Sequence, residues 1–228
     1  DAPKVMQTYY GGALWGRWHN GSFYYQDRRR GNQTLFLRKV LPSERLVVSL
    51  IKESASDYID PWVQISYYLK KSNRVIWSSQ RSGYQQLYLY NSNTGELINP
   101  ITQGEYTVRV IRGVDEKNDV LYFEASGKEE LRDPYCRQLY RVNLDGTGLK
   151  LLTPEPYEHD TLLSPDFNYV IDSYSDAQTP TVTWLRNINT GEKLLKLAQA
   201  DITALANLNW RAPESFNVIA DDGKTSLY

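Results

Sequence analysis

Val75–Val108 reads VIWSSQRSGYQQLYLYNSNTGELINPITQGEYTV. An apolar strand, VIWSS, gives way to polar QRSGYQ. A second strand, LYLY, follows and turns at Asn93-Thr94-Gly95, and a third starts at Leu97-Ile98. Glycine is wanted at such a turn because a tight hairpin needs positive φ. Tyr and Trp suit a half-buried pleat, where the ring packs and the polar tip keeps a partner. The same pattern recurs as FYYQDRRRGNQTLFLRKV from Phe23, VLYFEASGKEELRDPYCRQLYRVNLDGTG from Val120 and YVIDSYSDAQTPTVTWLRNINTGE from Tyr169. Leu35, Leu87, Leu139 and Thr183 hold the same place in it, at spacings of 52, 52 and 44 residues. Asp145-Gly146 and Asn189-Thr190-Gly191 repeat the turn, and Leu149–Leu152 and Lys193–Leu197 repeat the strand after it.

Strand repeats of about 40–50 residues mark the blades of a β-propeller. The expected fold is therefore all-β: a partial propeller of about four four-stranded antiparallel blades. These are drawn at about residues 11–57, 58–108, 109–160 and 161–203 within a propeller region 1–205, with a last strand and linker at 206–228. A helix competes with a strand only in LLKLAQADITALANL, from Leu194, where the apolar spacing is mixed. Four blades make a cramped ring, so a larger ring is the alternative. In that case, open terminal blades need cover, for instance from a second copy of the chain.

The 228 residues carry 26 Lys and Arg against 27 Asp and Glu, with two His and one Cys. A formal charge of −1 argues against a dedicated nucleic-acid binder, which needs a basic face. One Cys excludes an internal disulfide framework, and one Cys with two His cannot form an ordinary four-ligand zinc site. No long apolar run predicts a membrane span, and the opening DAPKV lacks the basic and apolar regions of a secretion leader.

Candidate chemistry is sparse. No G-x-S-x-G elbow occurs. Glu158-His159-Asp160 hints at a triad, but neighbours on a strand point to opposite faces. His159 and His19 thus read as turn or strand-end histidines bonded to nearby backbone. Cys136 reads as a small buried hydrophobe with no electropositive partner. Asp115–Asp119 lacks the Gly and terminal Glu of a calcium loop. Glu129-Glu130 could hold a cation but read more simply as a charged loop, as do Arg28-Arg29-Arg30. Asn20 and Asn32 begin glycosylation acceptor triplets. No cofactor and no metal are expected, and no catalytic residue is assigned.

The second repeat resembles the propeller of the dipeptidyl peptidase IV-like branch of the prolyl oligopeptidase family. The resemblance rests on Ser79, Arg81, Gly83, Tyr84, Leu87, Tyr88, Tyr90, Thr94, Gly95, Ile101, Thr102, Gly104 and Tyr106, with Gln80 and Ile101 departing mildly from the pattern. His159–Pro180 looks like a following blade, and Ala212–Tyr228 like the passage into a hydrolase domain. The resemblance implies an eight-bladed propeller followed by an α/β-hydrolase domain holding a Ser-Asp-His triad. This chain would then be the second half of the ring, roughly blades five to eight. It implies a serine exopeptidase that removes N-terminal dipeptides after Pro or Ala, periplasmic or secreted and often homodimeric. Its propeller would gate access of the peptide substrate, and with no nucleophile elbow in the sequence this fragment is expected to be inactive by itself. Trp62, in YIDPWVQI, reads first as a core aromatic and second as a substrate-binding residue of the cavity. From a different class, a free-standing TolB- or WD-like propeller that binds a protein partner would explain the same repeats. A reading frame ending at Tyr228 favours the binding module, and one continuing into G-x-S-x-G favours the peptidase.

Overall fold

The computed structural model describes residues 16–60, 63–130, 132–208, 210–214 and 216–227. Among these, four sheets follow one another along the chain, each a four-stranded antiparallel meander. The first contains β1 (Gly16–His19), β2 (Ser22–Arg28), β3 (Thr34–Leu41) and β4 (Leu46–Ser54). The second contains β5 (Ser66–Tyr68), β6 (Arg74–Ser79), β7 (Gln86–Asn91) and β8 (Leu97–Pro100). β9 (Thr107–Asp115), β10 (Val120–Ser126), β11 (Arg137–Asn143) and β12 (Lys150–Leu151) form the third. β13 (Glu158–Leu163), β14 (Tyr169–Ser175), β15 (Val182–Asn187) and β16 (Lys193–Gln199) form the fourth. The short helix α1 (Thr203–Asn207) and an exposed hairpin of β17 (Val218–Ile219) and β18 (Ser226–Leu227) end the described chain. No described helix is long and apolar enough to cross a membrane.

These are propeller blades, and the repeat positions fall on equivalent strands. Leu35, Leu87, Leu139 and Thr183 all lie on third strands, with the three leucines buried. The three strands visible in each sequence repeat are the second, third and fourth of a sheet. Second and third strands are more deeply buried than first and fourth: every residue of β10 is buried, which is why VLYFEAS is largely apolar where a half-exposed strand would alternate. The strand reading of Lys193–Leu197 holds; the helix is confined to Thr203–Asn207.

First strands leave no visible repeat in the sequence, and two boundaries shift because of them. The limits at 108/109 and 160/161 fall inside β9 and β13; the sheets part instead at the loops 101–106 and 152–157. β13, EHDTLL, offers no apolar alternation to read: its buried positions are His159 and Thr161, while Leu162 is 70% exposed.

The hairpins joining third to fourth strands show why the Asx–Gly signature recurs. Asn91 Oδ1 accepts from the N–H groups of Asn93 and Thr94 at 2.8 and 3.2 Å, and Gly95 N–H donates to Asn91 O at 2.8 Å. Asn187 repeats this with Asn189, Thr190 and Gly191 at 2.9, 3.1 and 2.8 Å. Gly95 and Gly191 have φ of 76° and 80°. Each also lies against the backbone of the preceding sheet: a Cβ on Gly95 would collide with Leu50 O, and one on Gly191 would lie 2.5 Å from Leu152 O. Both conformation and space therefore demand glycine.

The sheets fall into two compact units, one with the first two sheets and residues 116–118 and 144–147, the other with the third and fourth. The first unit has a core of Tyr24, Leu35, Leu37, Ile51, Ile59, Tyr68, Val75, Trp77, Tyr88 and Tyr90. The second packs Val120, Tyr122, Leu139, Leu152, Val170 and Ile188, with Leu163 and Phe167 against them.

Candidate functional site

In the fourth sheet, His159 of β13 pairs with Tyr174 of β14, Thr161 with Asp172, and Val170 with Arg186 of β15. Strand alternation therefore puts His159, Thr161, Asp172, Tyr174 and Arg186 on one face. His159, Asp172 and Arg186 are buried there, although all three can carry charge. The cost of burying them is met by pairing. His159 Nδ1 lies 2.8 Å from Asp172 Oδ1, and Nε2 lies 3.1 Å from Glu155 O. Arg186 donates from Nε to Asp172 Oδ2 at 2.7 Å, from NH1 to Gly191 O at 3.0 Å and from NH2 to Glu155 Oε2 at 2.7 Å. Lys193 closes the chain on Glu155 Oε1 at 2.7 Å and donates to Tyr174 OH at 2.9 Å. Its ammonium also lies over the Tyr174 ring, which stacks on Tyr157 at 5.1 Å.

Burial alone would raise the Glu155 carboxyl, but the hydrogen bonds from Lys193 and Arg186 outweigh it and hold Glu155 below the usual carboxylate range. Burial would likewise lower the Lys193 ammonium; the bonds to Glu155 and Tyr174 raise it instead.

Glu155, His159 and Asp172 bring three potential ligand atoms within 4.8 Å of one another. That spacing suits a metal, but Arg186 lies between the two carboxylates and uses an oxygen of each, while Lys193 holds another. Two cations already balance two carboxylates, so the arrangement works as a structural ion network. It is also no hydrolytic triad: both nitrogens of His159 are engaged, by Asp172 and by a backbone carbonyl.

The neighbours of His159 point the other way, as alternation requires. Glu158 binds Arg137, and Asp160 accepts from Arg112 at 2.5 Å. Arg112 also pairs with the wholly buried Glu124 at 2.8 Å, whose Oε1 accepts from Thr161 Oγ1 at 2.7 Å. Arg137 lies 3.5 Å from the other oxygen of Glu124. In the first unit Glu53 is the buried acid, accepting from Trp77 Nε1 at 2.9 Å and Ser79 Oγ at 2.5 Å, with Arg81 at 3.8 Å.

Arg81 and Ser79, two of the motif residues, are thus parts of a fold-holding cluster. Arg81 donates to Ser79 Oγ and Tyr90 OH and lies 4.3 Å over the Tyr88 ring. Ile101-Thr102 closes its sheet: Thr102 Oγ1 accepts the Leu87 N–H at 2.8 Å, as Thr153 does for Leu139.

Other candidates resolve plainly. Burial first, then the nearby Asp133, Glu158 and Asp176, pushes the Cys136 thiol up to about 11, the opposite of an activated nucleophile. Glu129 accepts from Tyr140 OH at 2.9 Å. Glu116 accepts the backbone N–H groups of Lys70 and Lys71 at 2.6 and 2.8 Å, so it caps a turn. His19 packs against Tyr24 and Tyr68. Arg29 lies over Phe36. Asn20 and Asn32 sit in turns at φ of 45° and 52°, and Asn20 is exposed. Trp62 lies outside the described residues.

Sequence reasoning reaches His159 but gives it only neighbouring backbone, and it misses Asp172, Arg186, Glu155, Lys193, Glu53 and Glu124. The available signal is the strand parity of charged residues: Asp172 and Arg186 occupy the positions of their strands that alternation assigns to the inside.

The description "Dipeptidyl peptidase IV (DPP IV) N-terminal region" matches residues 5–181. A protein named probable dipeptidyl-aminopeptidase B from Aspergillus oryzae is 32% identical over 147 residues, covering 57% of this chain and 15% of the relative. One of the same name from Botryotinia fuckeliana is 37% identical over 93 residues, covering 40% and 9%. Dipeptidyl peptidase 4 of Porphyromonas gingivalis superposes with a TM-score of 0.69 at 23% identity, over 83% of this chain and 26% of that one. A candidate dipeptidyl aminopeptidase IV of Bacteroides ovatus gives 0.75 at 24%, over 93% and 32%. At those identities the structural likeness shows the fold alone, and this chain spans a minor part of each of these four proteins.

Proposed function

Since the chain belongs to the dipeptidyl peptidase IV N-terminal region family, we propose that it is the substrate-gating propeller portion of a serine exopeptidase. The parent removes N-terminal dipeptides, after Pro or Ala, and its Ser-Asp-His triad lies in a separate α/β-hydrolase domain. This portion corresponds to the second half of an eight-bladed ring. The reading carries with it a periplasmic or secreted location. In such an enzyme the propeller admits extended peptides and excludes folded proteins, while the other domain performs acyl transfer.

The observation that supports this division of labour is the engagement of His159. Its nitrogens face Asp172 Oδ1 and Glu155 O, which leaves no ring nitrogen to take a proton from a nucleophile. The purified 228-residue chain is therefore expected to release no chromophore from Gly-Pro- or Ala-Pro-p-nitroanilide. Release that persists through repeated purification and is blocked by a serine-directed phosphonate overturns the assignment.

A further inference from the structure

Loop 127–136 and the start of β11 hold two hydrogen-bond donors that are buried without a partner among the described residues, Arg132 NH1 and Gln138 Nε2. Gln138 is 3% exposed. Opposite it on β10 stands Ala125, whose side chain is a methyl group, and on the other side β12 pairs with Tyr140 and Arg141 alone. Two residues on, Tyr140 lies on the same face as Gln138. Its ring stacks on Phe123 at 5.6 Å, and its hydroxyl donates to Glu129 at 2.9 Å. Arg132 acts on the same phenol from the loop: burial and then Glu129 push Tyr140 up, and the Arg132 charge opposes them. Lys128 brings a second cation, 5.3 Å over the ring of Tyr106, which also acts on Tyr140.

The acids of the loop do not serve these donors. Glu129 uses Oε1 on Tyr140, and Glu130 is exposed. Asp133 accepts the Tyr135 N–H with Oδ1 at 2.8 Å and the Cys136 N–H with its carbonyl at 3.2 Å. Ser126 Oγ closes the loop by donating to Tyr135 O at 3.4 Å. A buried donor left unmade costs stability, so two in one cluster call for a partner. Both atoms donate, so that partner is an acceptor. One of them belongs to a guanidinium, so the acceptor is an anion, and a guanidinium fork matches the two oxygens of a carboxylate. We infer that Arg132 and Gln138 form a binding site for a small carboxylate, the guanidinium and the amide both donating to its oxygens. Glu129 is kept from that place by its bond to Tyr140, and Lys128 adds positive charge beside it.

The site stands apart from the peptidase reading, and its test needs no activity. Saturation-transfer NMR on the purified 228-residue chain, at constant ionic strength, should carry magnetisation from the protein to the methyl group of sodium acetate, with formate competing. Arg132→Met and Gln138→Leu should each weaken acetate binding roughly tenfold or more, the loss of one hydrogen bond to a charged group. Gln138→Leu also separates binding from folding. Replacing an unpaired buried amide by an apolar group of similar size should leave the urea midpoint unchanged or raised in carboxylate-free buffer. Acetate should raise the wild-type midpoint and no longer move that of the variant. The dipeptide Ala-Pro and its C-terminal amide identify the source of the carboxylate. Tighter binding of the free acid than of acetate assigns the site to a peptide C-terminus, and equal binding assigns it to free carboxylates. No transfer to acetate, transfer unchanged in both variants, or equal binding of Ala-Pro and its amide overturns the site. So does displacement of acetate by inorganic phosphate at lower concentration than by formate, which would replace the carboxylate by a tetrahedral oxyanion. A lowered urea midpoint for Gln138→Leu overturns it too, since the amide would then already be partnered within the protein.

Discussion

Glu53 and Glu124 are both buried glutamates that bridge neighbouring sheets, and they are satisfied in opposite ways. Glu53 joins the first two sheets through close neutral donors, the Trp77 indole and the Ser79 hydroxyl, with the Arg81 guanidinium farther off at 3.8 Å, beside a core dense in aromatic rings. Glu124, between the third and fourth, lies against the guanidinium groups of Arg112 and Arg137 and accepts the Thr161 hydroxyl. Behind it the fourth sheet adds Asp172, Arg186, His159, Glu155 and Lys193. One unit is thus held mainly by packing, with the buried Glu53 pinned chiefly by dipoles. The other depends on charges whose burial is tolerable only while every partner is present. The same blade repeat accommodates both because what recurs is the hairpin and the buried third-strand residue.

The contrast is broken most directly by removing the central cation. Arg186→Met keeps the bulk of the side chain and leaves Asp172 buried with only His159. Uncompensated burial of this kind costs about 3–5 kcal/mol, so the urea midpoint should fall steeply and the fourth sheet should lose amide protection first. A change under about 1 kcal/mol would mean that the ion network does not hold this sheet.

A matched pair sharpens it. Glu124→Gln removes the charge facing two arginines and should cost about 3 kcal/mol. Glu53→Gln keeps an amide oxygen for the Trp77 N–H and should cost about 1 kcal/mol. The two are compared by urea titration, and equal losses would show that the two acids are held alike, whatever their partners.

What can be read from sequence follows the same line. The blades are legible because Leu35, Leu87 and Leu139 are buried at a fixed spacing, and because Asn91 and Asn187 build the same turn around Gly95 and Gly191. Those features are local, and each leaves its mark within a few residues. The first strands are not legible: β5 is three residues long, β9 has two register slips, and β13 buries His159 and Thr161 while exposing Leu162. The ion network is hidden for a related reason. Asp172 and Arg186 look like surface charges until three strands are aligned, and a single sequence does not state that alignment. His159 stands out only for its adjacency to Glu158 and Asp160, which face away from it.

Acid should act on the second unit through Glu155. Its carboxyl is depressed in the folded state by Lys193 and Arg186 against the opposing effect of burial. Its contribution is therefore fully present above the ordinary glutamate value of about 4.3 and is lost as pH falls through the lower folded value. Wild type and Glu155→Gln should differ at neutral pH and converge below about pH 4. A gap in urea midpoint that persists into acid would show that Glu155 acts through shape and not through charge.

The smallest effect belongs to the exposed end of the same system. Asp160 pairs with Arg112 at 2.5 Å but is 72% exposed, while Arg112 keeps its bond to the buried Glu124 whether or not Asp160 is charged. Asp160→Asn should therefore cost no more than about 1 kcal/mol. That cost should shrink in about 1 M salt, where the screening length is about 3 Å, whereas the loss from Glu124→Gln should be nearly the same at both ionic strengths. The measurement is a pair of urea titrations at low and high salt. If Asp160→Asn proves as damaging as Glu124→Gln, the orientation of Arg112 depends on its exposed partner, and the buried acid is the weaker of its two anchors.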